Sequence, residues 1–99
     1  MKKQNENIVP FIATHPGEVL LDEIEARGLT EKEVAAELRV TDAYLGLILK
    51  GETEVTEDFA FRLEKVLGIP MRFWLTMQEN YCEDIQKIEA KTYQLAYNS

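Results

Sequence analysis

The chain is short of positive charge. It carries 11 Lys and Arg against 18 Asp and Glu, a net charge of −7 over 99 residues. Nucleic-acid binders ordinarily show a basic excess or a basic face, so this balance argues against broad, charge-driven association with DNA or RNA. Cysteine is nearly missing: Cys82 stands alone, which excludes an internal disulfide and leaves it as a small packed hydrophobe on a helix. Histidine is nearly missing too. His15 has no second His and no Cys close by in sequence, so a helix cap is expected there rather than a metal ligand or base. No stretch is long and apolar enough to span a membrane. The opening "MKKQNENIVPFIATHPGE" lacks the apolar core of a signal peptide. These absences together point to the cytoplasm. No Gly-rich phosphate loop, Ser/His/Asp set or metal-spaced cluster occurs, so neither an enzyme nor a cofactor-bearing protein is expected. Alternation of the strand type is missing as well.

What is present is helix punctuation, and it predicts an all-α fold of five helices. Residues 1–13 read as a flexible arm, with Pro10 and the polar "KKQNEN" opposing a helix. Pro16 suits the first position of a helix capped by His15, with Leu20, Leu21 and Ile24 as its apolar stripe and Gly28 as its stop. Thr30 and Glu33 have the spacing of a capping box, opening a second helix through Val34, Ala35 and Leu38. Thr41 caps a third helix, in which Tyr44, Leu45 and Ile48 recur at helical spacing before Gly51. Thr56, Glu57 and Asp58 open a fourth, buried through Phe59, Leu63, Val66 and Leu67 and closed by Gly68 and Pro70. A fifth starts near Met71 and passes through Trp74, Leu75, Gln78, Tyr81, Ile85 and Ile88. The domain reading is an arm at 1–13, a helix-turn-helix domain at 14–70, and a C-terminal helix with dimerisation and tail at 71–99.

The middle of the chain is the informative part. In "LTEKEVAAELRVTDAYLGLILKGE", small Ala35 lets two helices cross closely and Val40 plugs the turn, while Leu45 and Ile48 face inward. That pattern suits two helices at a steep angle joined by a turn of three or four residues, with the second helix free to enter a major groove. With Leu45 and Ile48 inward, Asp42, Ala43, Tyr44, Leu47 and Lys50 face outward or sideways. The same spacing also fits an αα-corner with no DNA role.

From His15 to about Glu83 the chain resembles the HigA antitoxins, within the lambda-repressor-like (XRE) helix-turn-helix group. Four stretches carry the likeness: "HPGEVL" at 15–20, "GLTEKEVAAELRV" at 28–40, "KGETEVTEDFAFRLEKVLGIP" at 50–70, and "FWLTMQENY" at 73–81. The resemblance implies a lambda-repressor-like fold and a small homodimer whose fifth helix helps pair the subunits. It also implies operator DNA as a partner, a RelE-like RNase toxin as another, and repression of the operon encoding both. The DNA-facing residues expected on this basis are Glu31, Thr41, Asp42, Ala43, Tyr44, Leu47 and Lys50. The expected dimer contacts are Trp74, Tyr81, Ile85 and Ile88.

The departures from the family are chemical. Glu31 stands where the wider group often has Gln. Gly46 and Leu47 stand where Ser and Arg or another polar residue are common. Glu52 and Thr53 replace Lys-Arg. Residues 16–55 hold ten acids and four bases, so most of the net negative charge falls on the part expected to approach DNA. Lys2, Lys3, Lys50, Arg62, Lys65 and Arg72 are the basic residues left to flank a groove. The second reading is therefore a degenerate helix-turn-helix acting as a protein–protein interaction module, with Tyr44, Leu47 and Leu49 as an apolar contact patch.

Overall fold

The computed structural model describes the backbone of residues 13–98 and the side chains of residues 13–90. Five helices follow in order: α1 Pro16–Ala26, α2 Glu31–Leu38, α3 Asp42–Leu49, α4 Glu57–Leu67 and α5 Met71–Asn98. No strand occurs among the described residues, so the expected all-α architecture is the one found. None of these helices is long and apolar enough to cross a membrane. The predicted arm, with Lys2 and Lys3, lies outside the described residues except for its last position.

The caps form where the sequence places them. Thr30 accepts from the Glu33 backbone N–H at 3.1 Å, and the Glu33 carboxylate accepts from the Thr30 N–H at 2.9 Å. Thr41 and Thr56 accept from the backbones of Tyr44 and Phe59. Each such cap satisfies an N–H that the helix itself leaves orphaned and contributes about 1 kcal/mol. Between α2 and α3 the turn is three residues long, Arg39 to Thr41. It requires Arg39 in the left-handed region, at φ 62°. That conformation is costly for a non-glycine residue. Two bonds from α4 hold it: Nη1 of Arg62 donates to the carbonyls of Leu38 and Arg39 at 3.0 and 3.1 Å.

The core is assembled from every helix. Leu20 and Ile24 of α1 meet Val34, Ala35 and Leu38 of α2, Leu45 and Ile48 of α3, and Phe59, Ala60 and Leu63 of α4. Trp74 completes it from the first turn of α5 and is fully buried. This corrects its assignment to the dimer interface. Its own chain covers the indole on all sides, so no surface of it is left for a partner. The start of α5 therefore belongs to the core rather than to an appended tail.

Two stretches remote in sequence converge at one seam. The His15 ring caps α1, its Nδ1 accepting from Gly17 N–H at 2.8 Å. The same ring meets Tyr81 of α5 edge-to-face, centroids 4.8 Å apart. Nearby, Gln78 Oε1 accepts from the Val55 backbone N–H at 2.8 Å. The loop after α3 is thereby tied to both α1 and α5. His15 is 4% exposed, and burial lowers its pKa below the usual 6.5, outweighing the Thr53 backbone and the Glu18 carboxylate, which act the other way. Because the folded pKa is the lower one, the unfolded chain binds the extra proton first. Stability is then complete above about pH 6.5 and falls as pH drops through that value. Protonating Nδ1 also removes the acceptor for Gly17. We expect the urea midpoint to decrease between pH 7.5 and 5.5, and this decrease to vanish in His15→Asn, which still caps the helix. An unchanged midpoint in the parent would refute the assignment.

Candidate nucleic-acid interface

The outer stripe of α3 is built from both of its faces. Leu45 and Ile48 are fully buried and fix its rotation. Asp42, Ala43 and Lys50 are then exposed, Gly46 is partly exposed, and Leu47 is 41% exposed. Thr41 is exposed at the N-cap, its Oγ1 already accepting from Tyr44 N–H. Tyr44 lies to the side. It is half-buried, with its ring edge-to-face on Phe59 at 5.6 Å. Glu31 is exposed in the first turn of α2. The structure thus gathers Asp42, Ala43, Leu47 and Lys50 on one face, with Thr41 at its head and Tyr44 at its margin.

Leu49 does not join that face. It is 9% exposed and packs in the core beside Ile48. With Tyr44 occupied by Phe59, Leu47 is the one large apolar side chain offered by α3 among the described residues. The expected apolar patch of Tyr44, Leu47 and Leu49 does not form. Gly46 has no packing role against a neighbouring helix: a Cβ added there meets no atom within 4 Å. Cys82, expected to be packed, is exposed.

Electrostatics around the stripe are poor for phosphate. The N-terminus of α2, where the helix dipole favours an anion, is already flanked by Glu31 and Glu33. Glu52 and Glu54 follow α3 and are exposed. Two of the arginines serve the fold instead. Arg27 donates to the Leu67 carbonyl at 2.8 Å, capping α4, and pairs with Glu23 at 3.0 Å. Arg62, expected to flank a groove, caps α2 and pairs with Asp58 at 3.0 Å. Lys65 stands over the Phe61 ring, 5.3 Å from its centroid. Sequence reading alone counts these as free cations, since a bond to a carbonyl 24 or 40 residues away leaves no local signal.

The helix-turn-helix family pattern matches residues 20–74, more than half of the chain. The protein belongs to the helix-turn-helix family. Virulence-associated protein I of Dichelobacter nodosus is 34% identical over 70 residues, which is 70% of this chain and 65% of that relative. A solved addiction module antidote protein of the HigA family from Coxiella burnetii is 26% identical. It has a TM-score of 0.73 over 88% of this chain and 95% of its own. The protein PA4674 of Pseudomonas aeruginosa, solved with its 18-base-pair operator DNA, has a TM-score of 0.76 at 23% identity, covering 91% of this chain and 95% of its own. At that identity the likeness is one of fold. This helix-turn-helix protein is thus of the HigA type within the XRE group, and its fold is lambda-repressor-like.

Proposed function

We propose that this protein is a DNA-binding transcriptional regulator of the HigA antitoxin type. In this reading it binds operator DNA as a cytoplasmic homodimer, represses its own operon and neutralises a RelE-like toxin. The observation that carries it is the outer stripe of α3. Asp42, Ala43, Leu47 and Lys50 stand outward together on a helix whose rotation is fixed by buried Leu45 and Ile48. The interaction-module reading loses its support with Leu49 in the core and Tyr44 on Phe59. The dimer contacts that fit are Tyr81, Ile85 and Ile88, all half-exposed on α5. A monomeric mass by light scattering at micromolar concentration would count against pairing.

Few cations near α3 imply weak binding with a shallow salt response, since each phosphate contact steepens the slope of log affinity against log salt by about 0.9. A mobility-shift titration on the protein's own promoter, at two salt concentrations, tests this. Lys50→Ala is expected to weaken binding several-fold. Glu52→Lys is expected to strengthen it about tenfold and to steepen the salt slope by about one contact. No parental binding at low salt, with binding restored by Glu52→Lys, would mean that the scaffold has lost its DNA role. Tight binding indifferent to Lys50→Ala would place the DNA face elsewhere.

A further inference from the structure

We propose that α3 reads its half-site chiefly through thymine 5-methyl groups; this rests on the DNA-binding reading above and names the base chemistry that the same face accepts. Its outward positions are Asp42, Ala43, Gly46, Leu47 and Lys50, spaced so that they form one stripe on the helix. Guanine is read by Arg or Lys in the major groove, and adenine by Asn or Gln. The central three positions of the stripe offer none of these. They offer a methyl group, bare backbone and an isobutyl group. In the major groove the one apolar feature that distinguishes a base pair is the thymine methyl.

Gly46 supports this independently. A glycine within a helix costs about 1 kcal/mol against alanine, and nothing within the protein requires it here, because an added Cβ meets open space. Close approach of the α3 backbone to a groove floor does require it. Ala43 and Leu47 flank the glycine on the same face, one helical turn apart, so they meet methyls on neighbouring base pairs rather than on the same one. Leu47 is 41% exposed, and a methyl contact removes that apolar surface from water. The two ends of the stripe have separate tasks. Asp42 is an acceptor, suited to a cytosine amino group, and Lys50 at the C-terminal end suits phosphate.

The experiment is a fluorescence-anisotropy titration of the whole protein at low salt. The probe is its own promoter fragment, prepared once with thymine and once with deoxyuridine throughout. Deoxyuridine removes the methyl group and keeps every base-pairing hydrogen bond. The parent is expected to bind the deoxyuridine probe about tenfold more weakly. In Leu47→Ala the difference between probes is expected to shrink to about threefold, which separates methyl contact from any change in DNA stiffness. Gly46→Ala is expected to melt no lower than the parent, having room in the free protein, yet to bind both probes several-fold more weakly. Equal affinity of the parent for the two probes overturns thymine reading and leaves DNA binding standing. A probe difference that Leu47→Ala leaves unchanged also overturns it. Failure to bind either probe overturns the DNA-binding reading itself, and thymine reading with it.

Discussion

Replacing Trp74 with alanine is expected to cost about 4 kcal/mol of folding stability. The side chain is fully buried in the core formed by α1 to α4, although it stands on α5. Truncation removes the indole's transfer energy and leaves a cavity that four helices cannot collapse together to fill. In a domain of this size, 1 kcal/mol shifts the melting temperature by about 4–8 °C, so a drop of at least about 15 °C in a circular dichroism melt follows. The indole Nε1 is buried and has no hydrogen-bond partner. An orphaned donor costs about 1–3 kcal/mol. Trp74→Phe should therefore come within about 1 kcal/mol of the parent, since relief of the orphan offsets the lost volume. A mild Trp74→Ala phenotype confined to dimer mass would mean that the indole is a surface contact after all.

Gly17→Ala is expected to be nearly as damaging, at about 3 kcal/mol. An added Cβ at this position overlaps the carbonyl oxygen of Ile48. The clash is backbone against side-chain root, so no rotamer relieves it. Either α1 moves off the end of α3, or His15 releases its cap on Gly17 N–H. The same melt reads this result, and Gly46→Ala is the control, with open space around it. A Gly17→Ala protein that melts with the parent would show that α1 and α3 are not in contact as described.

Much of the fold is written locally. Pro16, Thr30, Thr41, Thr56 and the glycines at 28, 51 and 68 act on backbone within one turn of themselves, so helix order and approximate ends follow from sequence alone. The outward stripe of α3 is legible for the same reason, because the inward Leu45 and Ile48 define its opposite face. What was not legible depends on distant partners. Leu49 and Leu47 are alike in sequence, and only the assembled core buries one and leaves the other exposed. Arg27 and Arg62 read as charges until the carbonyls they cap are known. The Gly17 requirement, and the meeting of His15 with Tyr81, come from the crossing of helices rather than from any helix by itself.

The tie between Gln78 and the Val55 backbone has a mechanical consequence. With Trp74 embedded just ahead of it and Tyr81 against His15 just after, α5 has no hinge at its root. Beyond Tyr81 the helix continues unbroken to Asn98, extending about 25 Å from the body that carries α3. Torque applied to that extension is passed to the body through these contacts, so gripping α5 turns α3 with it.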